Sequence, residues 1–304
     1  MLPKIIVIAG PTASGKTGIG IECAKRFNGE IISADSMQIY KGMNINTAKV
    51  TEQEQDGIVH HMLDVVDPSS EYSVSEYRDH ARKIIDDIIA RGKTPIIVGG
   101  TGLYIRGIIY DYEFTNSQKN EAIRQKYEQV LSEHGSEYLH NLLKQVDPQS
   151  AEEIHPNNTK RVIRALEIFD TTGNQKSSLK REPTKVYDYA LIVLDMPRDT
   201  LYERINLRVD LMIKDGALQE AKHFIDTVPT DAQSMQAIGY KEFAPYFKGE
   251  KTLGQVTDDL KQATRNYAKR QITYFKGFAD AHWINPLTQK QQIFDIIEEK
   301  LKWI

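Results

Sequence analysis

Hydrophobic positions along the chain follow two alternating patterns. Lys4 to Gly10, KIIVIAG, is a continuous apolar run with β-branched residues, the mark of a strand buried on both faces. Helical periodicity follows from Lys16 to about Phe27, and a second strand, EIISAD, covers residues 30–35. In SVSE, Ser73 and Glu76 make a capping box, and the helix they open runs to Gly92, just before a third strand, TPIIVGG. This alternation predicts an α/β fold, a parallel sheet core with helices on both faces. From about Thr115 to Pro183 there is no strand-like run. Charged helical stretches such as NEAIRQKYEQVLSEHG and NTKRVIRALEIFDTTG fill it, so an all-helical insertion domain is expected. YDYALIVLDM, residues 187–196, returns to strand character, with a helix starting near Arg198, a long one over about Gln255 to Ala279, and a closing one after HWIN. The expected organisation is a first core part over residues 1–114, the insertion over 115–185 and a second core part over 186–304.

Composition narrows the class of protein. With 27% charged and 40% hydrophobic residues, the chain suits a folded enzyme rather than a disordered or fibrous one. The longest apolar stretches are strand-sized, so no membrane association is expected. The N-terminus lacks the layout of a secretory signal. A single cysteine, Cys23, excludes an internal disulfide and fits a reducing cytoplasm; its place in a helical pattern marks it as a buried thiol. A net charge of −3 argues against coating nucleic acid by bulk electrostatics but leaves room for a local basic patch.

The chemistry begins at GPTASGKT: Gly10, Pro11, Thr12, Ala13, Ser14, Gly15, Lys16 and Thr17. This matches the complete phosphate-loop pattern, with a strand before it and a helix after it, so the core is P-loop NTPase-like. The glycines let backbone amides converge on phosphate oxygens, and the helix N-terminus adds its dipole. Lys16 supplies a charge, and Thr17 can hold Mg²⁺. A kinase or ATPase would also need an acid at a strand end to help hold the metal. TPIIVGGTGLY ends without one, and Asp195 after LIVL reads better as a strand-end helix cap, which weakens the ATP-binding reading without removing it. Asp35 stands at the carboxyl end of the strand after the loop, where open parallel sheets place their ligands. Spacing alone does not separate a proton-accepting carboxylate from a turn aspartate bonded to its own backbone. His60-His61 invites a metal reading. Adjacent residues of an extended segment point opposite ways, however, and no partner set has ligand spacing.

GPTASGKT, SADSMQIYKGMNINTAKV, HHMLDVVDPSSEYSVSEYR and GGTGLYIRG together resemble the tRNA dimethylallyltransferases. The similarity continues in order through NTKRVIRALEIFDTTG, LYERINLRVDLMIKDGALQEA, QAIGYKEF and ATRNYAKRQITYFKG. Met37 stands where that family has an arginine, and Tyr274 where it has a tryptophan. The resemblance implies a cytoplasmic, Mg²⁺-dependent transferase, a monomer with no obligate protein partner. It would move the dimethylallyl group of dimethylallyl diphosphate to N6 of the adenosine 3′ of the anticodon, releasing pyrophosphate. It also implies Asp35 as the proton acceptor for N6 and Thr101 as an RNA contact. Lys16, Thr17 and Arg208, one helical turn after Arg204, would then stabilise the departing diphosphate. Asp35, Ser36, Met37 and Gln38 would contact the extruded adenine. The tRNA anticodon stem-loop would dock on Arg265, Lys269 and Arg270 of the acid-free stretch KQATRNYAKRQITYFK, and on Arg124, Lys160, Arg161 and Arg164 of the insertion. Tyr267, Tyr274 and Phe275 within that stretch read better as core-facing than as stacking platforms. The alternatives are a P-loop kinase or ATPase, prenyl transfer to a free adenine nucleotide, and a non-catalytic RNA-binding protein.

Overall fold

The computed structural model describes residues 2–111, 120–179 and 184–301. The division by compactness gives a core unit, Met1–Tyr110 with Lys185–Ile304, and a second unit, Asp111–Thr184.

The core is built on a six-stranded parallel sheet. Its strands are β1 (Lys4–Ala9), β2 (Gly29–Ser33), β3 (His60–His61) and β4 (Thr94–Gly99), joined later in the chain by β7 (Asp188–Leu194) and β8 (His282–Ile284). The order across the sheet is β3-β2-β4-β1-β7-β8. Two short strands, β5 (Tyr110–Asp111) and β6 (Thr184–Lys185), form a separate ribbon at the boundary between the units. β1 is central, with Ile6 beside both Ile96 and Ala190, and Val7 beside Ile97 and Leu191. Side chains alternate faces along a strand. Ile5, Val7 and Ala9 therefore join Ile32, Ile97, Leu191 and Val193 in one hydrophobic cluster, while Ile6 and Ile8 join Ile31, Ile96, Ile192 and Leu194 in another. Burial of both faces is why these strands read as unbroken apolar runs.

Helices cover each face. On one side α1 (Lys16–Arg26) contributes Ile19 and Cys23, and the closing helix contributes Ile293 and Ile297. Cys23 is fully buried, and burial pushes its thiol up to about 12. After the short α2 (Glu52–Gln55), the other side receives α3 (Val74–Ala90) and α4 (Gly102–Ile109). The expected capping box forms at α3: Ser73 Oγ accepts from Glu76 N, and the Glu76 carboxylate accepts from Ser73 N.

In the second unit, α5 (Glu121–Val146), α6 (Pro148–Glu153) and α7 (Thr159–Thr172) enclose a small core of Tyr127, Leu139, Leu143, Val162 and Leu166. Gly135, at φ 82°, interrupts α5, where the helical stretch read from the sequence ends. Two buried acids complete this unit. Asp147 is opposed by its burial, yet hydrogen bonds from Ser150 and Ser177 outweigh that and hold its carboxyl at about 2. Glu167, fully buried, is likewise opposed by burial. Arg164, the Asn120 amide and Arg124 overcome it and hold the carboxyl below the ordinary glutamate range.

The core then resumes with α8 (Arg198–Lys214), α9 (Ala217–Thr227), α10 (Ala244–Phe247), α11 (Leu253–Phe275) and α12 (Lys290–Leu301). Two differences from the sequence reading stand out. β3, only two residues long, is recruited by the backbone of β2 rather than by its own pattern. Asp195 does not cap α8: its carboxylate accepts from Met196 N at 3.0 Å, and the cap position falls on Pro197, where no side chain can bond.

Candidate active site

Parallel strands end on one edge of a sheet, and β2, β4 and β1 are consecutive neighbours. Their carboxyl ends lead directly into Asp35, Thr101 and the 10–17 loop. Residues far apart in sequence thus meet because three adjacent strands stop together.

The loop is shaped for an anion. Gly10 sits at φ 145°, and a Cβ there would stand 2.8 Å from the Leu194 carbonyl oxygen, so glycine is required. Ala13 is held at φ 63°, a left-handed conformation costly for a residue with a side chain. No side chain caps α1, which leaves its first amides for a ligand. Ser14 Oγ is buried without a partner in the same loop. Lys16 Nζ donates to the Pro11 carbonyl at 2.7 Å. From α8, Arg204 Nε donates to the Ala13 carbonyl at 2.9 Å, and Arg208 reaches Thr12 Oγ1 at 3.4 Å. Thr17 is exposed on the first turn of α1.

The charges here are not mutually satisfied. Burial, with the Arg208 charge adding to it, lowers Lys16 to about 7 against the opposing pull of Asp35. Burial raises the Asp35 carboxyl above its usual range. The Met37 amide, Lys16, the Gln38 amide and Lys49 pull the other way without cancelling it. The two amides lie 2.9 and 3.4 Å from Asp35 Oδ1, so Asp35 makes the turn aspartate bonds and is also half-buried within electrostatic reach of Lys16. Of the two readings left open by spacing, the turn-aspartate bonds are present, and they occupy only one of the two carboxylate oxygens.

Thr101 links the strand ends. Its Oγ1 accepts from Ser36 N at 3.0 Å, and its own amide donates to the Ala34 carbonyl. It heads α4 without capping it, because the hydroxyl is turned to Ser36 instead. Gln38 is committed to its own loop: its amide nitrogen donates to the Thr47 and Ala48 carbonyls, and its oxygen accepts from Ser33 Oγ. Met37 is half-buried and packs against the core.

The expected cationic contacts sort into two groups. In the core unit, Lys261 pairs with Asp210, and Arg265 donates to Asn206 and Gln262. Lys269 lies 6.0 Å from the Tyr202 ring centre, and Arg270 lies 5.6 Å from that of Tyr267. In the second unit, Arg124 and Arg164 are tied to Glu167, whereas Lys160 and Arg161 are exposed at the start of α7. Phe275 is fully buried, and Tyr274 packs against Gly102 with Arg106 over its ring. Tyr267 differs from them. It interacts with Thr101 and Gln271 and is held above the usual tyrosine range by burial and by Asp35. Tyr267, Gln271 and Arg204 are site residues that the sequence reading did not assign. The i, i+4 spacing of Tyr267 and Gln271 was the available signal. Each member of the histidine pair has its own partner, His61 on Glu30 and His60 on the Ile58 carbonyl.

Against known proteins, the family described as IPP transferase matches residues 38–278. The chain belongs to the IPP transferase family. The chain is 50% identical to the tRNA dimethylallyltransferase of Bacillus mycoides, over 98% of this chain and 96% of that one. It superposes on the tRNA isopentenylpyrophosphate transferase of Bacillus halodurans with a TM-score of 0.73 at 43% identity, covering 98% of each chain. A eukaryotic dimethylallyltransferase solved acting on tRNA gives a TM-score of 0.83 at 33% identity, with 99% of this chain and 79% of that one covered. The matched family region begins at Gln38, after the loop and Asp35, so those residues rest on the full-length relatives and on the geometry.

Proposed function

We infer that this protein moves the dimethylallyl group of dimethylallyl diphosphate to N6 of the adenosine 3′-adjacent to a tRNA anticodon. The observation that carries the reading is the meeting on one sheet edge of a phosphate loop, with Lys16 and Arg208 bonded to it, and the half-buried carboxylate of Asp35. In the reaction the N6 lone pair attacks the allylic carbon and the carbon–oxygen bond to the diphosphate breaks. The N6 proton passes to Asp35, and pyrophosphate leaves. Asp35, raised by burial, has more affinity for that proton than a solvated carboxylate. Negative charge grows on the leaving oxygen, and the loop amides, Lys16 and Arg208 surround the place where it gathers. A bound diphosphate would also return Lys16 to its charged form.

Mg²⁺ fits this donor set as an ion delivered with the diphosphate. Thr17 offers a hydroxyl, and among the described residues no cluster of three acid, histidine or cysteine side chains would hold it unaided. When bound, the ion would spread the charge of the leaving group. Thr101 and the 35–38 turn are assigned to the adenine side, and Lys160, Arg161, Lys269 and Arg270 to the RNA backbone. Among the described residues no helix is long and apolar enough to cross a membrane, which suits a cytoplasmic enzyme.

The test is mass spectrometry of an anticodon stem-loop incubated with the protein, Mg²⁺ and dimethylallyl diphosphate, with Asp35→Ala in parallel and ATP substituted in one arm. The expected result is a gain of one dimethylallyl group, lost in the variant. Phosphate release from ATP with no RNA adduct would overturn the reading in favour of an ATPase.

A further inference from the structure

Gln271 lies inside α11 with 5% of its surface exposed, and no step of the transfer described above uses it. Its side-chain amide is engaged at both ends. Oε1 accepts from Thr12 N at 2.8 Å, and Nε2 donates to the Gly100 carbonyl at 3.0 Å. Thr12 belongs to the phosphate loop after β1, and Gly100 immediately precedes Thr101 after β4. One planar group therefore spans the two strand ends between which leaving group and nucleophile must meet. The surroundings are fitted to it: a Cβ on Gly100 would lie 2.1 Å from Nε2. Packing alone would favour an apolar residue at this depth, because a buried amide is costly unless both ends are bonded. Thr101, next in the chain after Gly100, accepts from the amide of Ser36, next after Asp35, so the span from Gln271 reaches the proton acceptor through one further hydrogen bond.

We propose that Gln271 is a positioning residue: it sets the distance between the diphosphate-holding loop and the Asp35–Thr101 side, so that the allylic carbon opens toward adenine and not toward water. The proposal rests on the prenyl-transfer reading above. When that register is lost, the carbon–oxygen bond still breaks and pyrophosphate still leaves. A water oxygen then takes the allylic carbon and gives its proton to solvent, yielding dimethylallyl alcohol.

The experiment uses the full chain with labelled dimethylallyl diphosphate and an anticodon stem-loop, and measures prenylated RNA and dimethylallyl alcohol together. Two variants approach the amide from opposite sides. Gln271→Met keeps the volume and removes both hydrogen bonds, and Gly100→Ala displaces Nε2 while leaving Gln271 in place. Each is expected to lower kcat for transfer by about a hundredfold, the scale of an ångström's misplacement. KM for the stem-loop should stay within about twofold, and the alcohol share of the products should rise. A fall in transfer with an unchanged alcohol share would make Gln271 a packing residue and overturn the proposal. So would loss of cooperative melting in both variants. A wild-type protein that prenylates no RNA would instead sink the functional reading, which keeps the two failures distinct.

Discussion

The molecule shields a carboxylate from water near cations in two places, fully at Glu167 and partly at Asp35, with opposite results. In the helical unit, Glu167 has two arginines and a backbone amide bonded to it and sits below the ordinary glutamate range despite complete burial. At the sheet edge, Asp35 has two amides on one oxygen and cations acting only at longer range, and burial keeps it above its ordinary range. We propose that the difference separates a structural charge from a reactive one. A fully bonded carboxylate has no capacity left for a new proton or partner. An incompletely bonded one is held ready for both, at a cost in stability that the surrounding sheet must offset.

The largest expected effect comes from breaking the reactive member. Asp35→Asn should cost about 10²- to 10⁴-fold in kcat for prenyl transfer, the range of a general base. Its melting temperature should not fall, since an under-compensated charge is removed; a marked loss of stability would erase the contrast with Glu167. Glu167→Ala should do the reverse. It should destabilise the helical unit by about 3 kcal/mol, the scale of a broken buried pair, while calorimetry finds pyrophosphate binding to the core unchanged.

Acidity sharpens the comparison next. Glu167 is depressed, so its contribution is present above the ordinary glutamate range and is lost as pH falls through its folded value. Thermal melts at descending pH should show the helical unit weakening there. Asp35 must be ionised to accept a proton, so the acid limb of the transfer rate should lie above the ordinary aspartate range. Lys16, at about 7, must be protonated to hold diphosphate. Pyrophosphate affinity should therefore fall by up to about tenfold per pH unit above that value, with proton uptake on binding, and Lys16→Met should flatten the profile. The smallest effect belongs to the surface. Lys269→Ala should weaken stem-loop binding modestly and lower its salt slope by about 1, leaving kcat unchanged.

Legibility from sequence followed the same division. The two-sided burial of Ile5 to Ala9 and of Pro95 to Gly99 leaves a local signal, as do the loop's glycines and the Ser73 cap. The meeting of Asp35, Thr101 and the loop leaves none, because strand order is decided by pairing between distant segments. The cations of the insertion looked alike in sequence, yet Arg124 and Arg164 are claimed by Glu167 while Lys160 and Arg161 are exposed. A helix presents its partners only once folded. Gln271 left only its i, i+4 spacing from Tyr267 as a signal, because its two hydrogen-bond partners, Thr12 and Gly100, come from distant strand ends.

The core closes on itself before and after the helical unit. Val186 N donates to the Ile109 carbonyl at 3.1 Å, so the chain leaves and re-enters the sheet domain a single hydrogen bond apart. To the core, everything between is one long excursion whose closure entropy grows only logarithmically with length. Exchanging that excursion for a brief glycine-serine linker should leave a cooperatively melting sheet domain, and an unfolded product would refute this. The sheet then carries its strand-end site on a frame whose closure does not depend on what the intervening lobe contains.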